Sequence, residues 1–241
     1  MSKKIVHAMV LAASMLLVGL SCPSPAQAQE TKAPYPAMAP LDQYLMADRD
    51  AEIALAKSAA PPAIANDANV LVLEKDGYHT AVEGKNGFTC VVERAWMNPI
   101  ESDEFWNPKV RGPVCYNPQA SRSILPYTIQ RTKLALKGLT KTQIGDSMKA
   151  AFESNQLPLP EAGSMSYMLA KGGYLGDSNG HWHPHLMFHI PNGSAASWGA
   201  NLPDSPVLMI PPGPEPETIF LVPVSHWSDG TLADDSGTHQ H

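Results

Sequence analysis

Apolar and polar residues alternate with a period of two in several short stretches of this 241-residue chain, and with a helical period in others. The first pattern marks a half-buried strand, the second an amphipathic helix. Residues 70–73 read as a strand, Asp76-Gly77 as a turn and residues 78–82 as the returning strand. Asn86-Gly87 is a strong hairpin signal ahead of residues 88–92, so the expectation here is a β-meander. Phe88, Cys90 and Val92 share a face, which points Cys90 inward. After Pro158 and Pro160, strands are expected at 164–169, 185–190, 207–210 and 218–222, separated by Gly and Pro clusters.

Helical signals fall before and between these strands. Residues 41–59 are rich in helix formers, with Leu41, Leu45, Asp48, Glu52 and Leu55 along one stripe. Asp48 suits the N-cap of a shorter helix, and Pro61-Pro62 stop it. A second helix starts near Pro126 and ends at Lys137-Gly138. The best-specified element follows: Thr140 as N-cap, Gln143 completing a capping box, Leu139 and Ile144 as a hydrophobic staple. Ile144, Met148, Ala151 and Phe152 form its core-facing stripe. Residues 96–126 read as a long loop with three echoes of an aromatic near Asn-Pro, at Trp96, Trp106 and Tyr116. Strands, then helices, then strands define a single α+β domain with an antiparallel sheet: an N-terminal meander, two central helices and C-terminal strands.

The ends change the picture of where this domain works. Residues 1–28 read as a secretory signal, with Lys3 and Lys4, an apolar run, and the cleavable small-x-small pattern Ala26-Gln27-Ala28. The run is too short, and too soon followed by Pro23 and Pro25, for a membrane span. Lipidation at Cys22 is the alternative, with Gly19 against it where a branched aliphatic is usual. Residues 29–40 then form a flexible leader, 41–230 the domain, and 231–241 a disordered acidic tail containing His239 and His241.

Cleavage removes two lysines and leaves 15 basic against 23 acidic side chains, a charge of −8. That balance argues against nucleic acid and anionic lipid as partners. No second long apolar segment follows, so no transmembrane segment is expected after cleavage, and the protein is expected to be periplasmic or secreted. Cys90 and Cys115 remain, and in an oxidising compartment an even pair reads as one disulfide.

Candidate chemistry concentrates in Gly180-His181-Trp182-His183-Pro184-His185-Leu186-Met187-Phe188-His189, which holds four of the nine histidines. In an extended segment His181, His183, His185, Met187 and His189 share one side. An imidazole row raises a transition-metal site, zinc or, with the Met187 thioether, copper, completed by a ligand such as His226, His79 or Asp177. Pro184 works against a continuous strand and places His181 and His183 on a loop. A polar face whose histidines bond backbone or water is the bland alternative.

His181-x-His183-Pro184 is similar to the start of the cupin metal motif, which implies a jelly roll, but the glutamate expected a few residues on is missing. Asp177-Ser178-Asn179-Gly180 lacks the closing Glu of a calcium loop. Gly163-Ser164-Met165-Ser166 is not a nucleophile elbow and reads as a strand. No phosphate-cradling loop or dinucleotide fingerprint occurs, so no nucleotide cofactor is expected. The five tryptophans lie in or beside expected loops, where such residues more often cover the ends of a core than line a ligand cleft.

The segments 86–96 (NGFTCVVERAW), 163–169 (GSMSYML) and 180–188 (GHWHPHLMF) resemble a group of uncharacterised exported bacterial proteins, over residues 40–230. The resemblance implies export from a bacterium and brings no activity, cofactor or site residue. The leading expectation is a binding protein that holds a metal ion or small polar ligand through His183 and His185 with His181 or His189. The alternatives are a metal-dependent hydrolase and a structural or interaction domain without metal.

Overall fold

Eight strands hydrogen-bond into one open sheet in the computed structural model, which describes residues 34–177, 180–191 and 195–233. The expected signal segment and residues 234–241 of the expected tail lie outside the described residues. The strands are β1 (Asn69–Glu74), β2 (Gly77–Val82), β3 (Thr89–Glu93), β4 (Gly112–Tyr116), β5 (Met165–Met168), β6 (His185–Pro191), β7 (Leu208–Met209) and β8 (Glu217–Pro223). Their spatial order is β2-β1-β3-β4-β5-β6-β8-β7, antiparallel throughout except for the parallel pair β1–β3. The architecture is the expected α+β domain. A single open sheet is not the two-sheet jelly roll that the cupin-like His-x-His-Pro implied.

The meander is corrected. β3 lies beside β1, not β2, so Asn86-Gly87 belongs to a crossover and not to a hairpin. Burial decides this: β1 hides Val70 and Val72 completely, whereas β2 exposes His79 and Thr80 and becomes the sheet edge. The Asn-Gly pair still makes its turn. Gly87 has φ +77°, and a Cβ there would lie 3.2 Å from the Pro118 ring.

The expected loop over 96–126 is also corrected, since it contains β4, a central strand. Cys115 of β4 pairs with Cys90 of β3 both in register and through a disulfide. The three aromatic anchors are buried at Trp96, Trp106 and Tyr116. Asn117, after the third, caps helix α3 (Pro118–Ser123) by accepting from the Ala120 amide.

The remaining helices are α1 (Arg49–Lys57), α2 (Pro62–Ala65), α4 (Leu125–Leu136), α5 (Lys141–Glu153) and α6 (Ala195–Trp198). Asp48 caps α1, and the Thr140–Gln143 capping box opens α5, both as expected. Glu52, the polar residue in the stripe of α1, is buried and meets the guanidinium of Arg94 at 2.9 Å while accepting from the Leu73 amide.

Two cores result. On one face Ala56, Ala59, Ala60, Ala65 and Ala68 of the α1–α2 region pack on Val70, Cys90, Val92 and Cys115. The other face carries Val91, Val114 and Tyr116 against Ile124, Tyr127, Leu134, Ile144 and Met148 from the α3–α5 layer. Residues 34–40, expected as leader, lie on this second core: Tyr35 and Met38 pack there, and Ala39 donates to the Tyr44 hydroxyl. Residues 231–233, expected in the tail, also pair, through a bridge between Leu232 and His226.

Candidate functional site

The four histidines of the row go to different places. His181 and His183 precede β6 and are exposed; His181 Nδ1 donates to the Gly173 carbonyl at 2.6 Å. His185 opens β6, is 6 % exposed, and donates from Nδ1 to the His183 carbonyl at 2.7 Å. Burial pushes its pKa below the ordinary imidazole value. His189 is on the same face of β6, but four residues of strand put it about 13 Å further on. Among the described residues, none of the four enters a group of three or more His, Cys, Asp or Glu ligand atoms close enough to share an ion. The group that does is Glu74, Asp76 and His79 at the β1–β2 turn, where all three are exposed.

His189 is the member of the row that reaches a cavity. Strand alternation aims His189 and Met187 of β6, Glu217 and Ile219 of β8, Tyr116 of β4 and Glu93 of β3 at the helical layer. Ile124, Tyr127 and Arg131 approach from the α4 side. The strand β8 is preceded by a Pro-rich strap, Ile210-Pro-Pro-Gly-Pro-Glu215-Pro216, which closes another side. The space between them, partly open to solvent, is about 200 Å3 with mostly apolar walls. For scale, an apolar cavity of about 150 Å3 takes up benzene.

The strap is tied by one ion pair. Arg131 donates from Nε and Nη2 to the two carboxylate oxygens of Glu215, at 2.7 and 2.8 Å, and from Nη1 to the carbonyls of Trp96 and Asn98. The side chains of this pair are 4 % and 8 % exposed, and its fork geometry leaves the guanidinium well occupied.

At the polar end, the hydroxyls of Tyr116 and Thr128 both donate to Glu93 Oε1. Burial pushes the Glu93 carboxyl above the usual range, outweighing those two donors and the lowering influence of neighbouring His189 and Arg131. Burial, followed by the Glu93 charge, pushes the Tyr116 phenol well above its ordinary value. His189 Nδ1 faces Glu217 Oε2 at 3.0 Å, so this nitrogen carries a proton. The other ring nitrogen, Nε2, meets the Ser166 hydroxyl at 3.1 Å.

Ser166, His189 and Glu217 therefore stand in the order of a serine-hydrolase relay. Ser166 is fully buried in mid-strand and is absent from the cavity wall, so no substrate can meet its Oγ. The line of hydrogen bonds holds the His189 ring in place instead. Of the site's polar residues, the row of histidines announced His189. Glu93, Tyr116, Arg131, Glu215 and Glu217 were not signalled. The readable hint was Glu93, a carboxylate closing an apolar strand on the face opposite Cys90.

Fold and site together define an α+β domain with a small cavity, polar at one end, between its sheet and its helices. Searches against protein-family models, curated proteins and solved structures found no match. No helix among the described residues is long and apolar enough to cross a membrane.

Proposed function

We propose that this is an exported binding protein for one small organic molecule, held in the cavity between β6, β8 and α4. The observation that carries the reading is the concentration of polar groups, buried Tyr116 and His189 with half-buried Glu93 and Glu217, at one end of an otherwise apolar space. Buried charges are costly, and a core built for stability alone would do without them. Pockets for small ligands have this composition, apolar walls with a few placed polar groups. The cavity is smaller than that class usually runs, which favours a ligand of about one ring. The signal-like start and the Cys90–Cys115 disulfide support an oxidising, extracytoplasmic compartment.

The test is a screen of one-ring fragments by NMR chemical-shift perturbation, on wild type and on Ile219→Trp, which fills the cavity. Fragments that shift Tyr116, Met187 and Ile219 signals in wild type, and lose their effect in the filled variant, support the reading. Shifts that persist in Ile219→Trp overturn it. The zinc or copper reading of the histidine row is a separate proposal. Because those side chains diverge, the geometry favours no stoichiometric site sensitive to His183→Ala or His185→Ala in a metal titration.

A further inference from the structure

An inventory of hydrogen bonds around the cavity narrows the ligand class. The Tyr127 hydroxyl donates to the Pro158 carbonyl, and the hydroxyls of Tyr116 and Thr128 are engaged by Glu93 Oε1. Both ring nitrogens of His189 are held, and Arg131 makes four hydrogen bonds. Beside the Asn98 amide, whose Nδ2 reaches the Glu104 carbonyl at 3.4 Å, two carboxylate oxygens of cavity-lining residues are left over. Among the described residues no hydrogen bond reaches Glu93 Oε2 or Glu217 Oε1. Neither is sealed away, because the sole buried side-chain nitrogen or oxygen without a partner among the described residues is Trp182 Nε1. The Glu217 side chain is nine-tenths buried, at 10 % exposure, and the residue lines the cavity.

Glu93 Oε2 and Glu217 Oε1 are carboxylate oxygens, which accept and do not donate when ionised. The cavity also holds three carboxylates, Glu93, Glu215 and Glu217, against one permanent cation, Arg131, and one imidazole, His189. Arg131 is already matched by Glu215. We propose that the cavity selects an organic ammonium: a protonated amine on an apolar body of about one ring. This rests on the binding-protein reading above. The ammonium N–H groups would donate to Glu93 Oε2 and Glu217 Oε1, and the body would lie against Met187, Ile210 and Ile219. Charge-assisted bonds of this type are about twice as strong as neutral ones. A bare divalent ion fits less well, because Glu93, Glu217 and His189 do not bring three ligand atoms together.

Acidity adds a signature. The groups facing Glu93 are Tyr78 from β2, Tyr116 from β4, Thr128 and Arg131 from α4, and His189 from β6, with burial the dominant influence. An ammonium binds the ionised carboxylate, so its affinity rises with pH through the raised Glu93 value and then levels. A carbonyl ligand would need the protonated carboxyl and would show the reverse.

The experiment compares benzylamine, benzyl alcohol and benzoate by isothermal titration and NMR on the exported chain, with Glu93→Gln and Glu217→Gln. Both substitutions keep an oxygen for the existing donors. Benzylamine is expected to bind about tenfold or more tighter than benzyl alcohol, with benzoate weakest, and each variant should weaken benzylamine about tenfold while leaving benzyl alcohol unchanged. Equal binding of amine and alcohol, or benzoate binding best, with shifts still confined to the cavity, overturns the ammonium assignment and leaves the cavity as a ligand site. If no ring binds there in wild type, the binding-protein reading fails, and the ammonium assignment with it.

Discussion

The two faces of the sheet solve burial in opposite ways on the same strands. Along β3 and β4, Cys90, Val92 and Cys115 point to a face sealed by small alanines, where the buried charged pair, Glu52–Arg94, is closed on itself and lies outside the cavity lining. One residue away, Glu93 and Tyr116 point to the face that holds His189, Glu217 and the cavity. A strand's period of two makes this division unavoidable, and a slip of one residue would turn Glu93 and Tyr116 out of the cavity. The disulfide joins directly opposed residues, so it locks that register from behind. One face is therefore built for constraint and the other for chemistry.

The largest effect should come from breaking the ion pair on the chemical face. Arg131→Met leaves Glu215 buried without its partner and orphans the carbonyls of Trp96 and Asn98. Losing one member of a buried pair costs about 3–5 kcal/mol, to be read from urea unfolding at constant m-value. A change below about 1 kcal/mol would mean that the strap does not depend on this tie.

On the sealed face, Cys90→Ala with Cys115→Ala should cost slightly less. The bridge spans a sequence separation of 25 residues, for which chain entropy gives about 3.5 kcal/mol. Non-reducing against reducing denaturation of wild type provides the same measurement without substitution. The comparison sharpens if fragment binding in the cavity survives at native pH while global stability falls. It breaks if binding is lost wherever the protein is still folded.

Local elements of both faces were legible, and their assembly was not. Thr140 and Gln143 announce the start of α5 because capping is chemistry within four residues. β6 and β8 were visible as short apolar runs between Gly and Pro clusters. β4 was hidden because Gly112 and Pro113 open it, and both residues argue against a strand when read locally. The parallel pairing of β1 with β3 depends on which strand buries more apolar surface, and the Asn86-Gly87 turn signal carries no information on that. The histidine row pointed at the right strand, yet Pro184 ends its regular alternation, and only His189 reaches the cavity. Nothing local in the sequence marks Arg131, Glu215 or Glu217 as lining a cavity, since burial of a charge is a property of the assembled fold.

A control on the helical layer touches neither face of the comparison. Thr140→Ala removes the acceptor for the Gln143 amide and half of the capping box. It should lower stability by about 1 kcal/mol, by urea unfolding, and leave cavity signals in the NMR spectrum in place. Displaced cavity signals would show that α5 transmits strain to the site.

The smallest expected effect is a change of slope with pH. Glu93 titrates in the unfolded chain near 4.5, and burial raises its value in the folded protein. Below about 4.5 both states hold the proton and Glu93 adds no penalty. Between that value and the raised one the folded state binds more protons, so stability falls as pH rises, and the loss is complete above the folded value. Glu93→Gln cannot ionise. Its stability relative to wild type should be flat in acid, climb through this window and then level off. His185 acts with the opposite sign: burial lowers its value from 6.5, so its contribution is present above 6.5 and is lost as pH falls through the folded value. The two slopes separate cleanly in a double comparison with His185→Asn, using thermal midpoints from about pH 4 to about pH 8. A Glu93→Gln difference that does not vary with pH would mean that water reaches this carboxylate freely. The polar end of the cavity would then be open surface, and the contrast between the two faces would lose its physical basis.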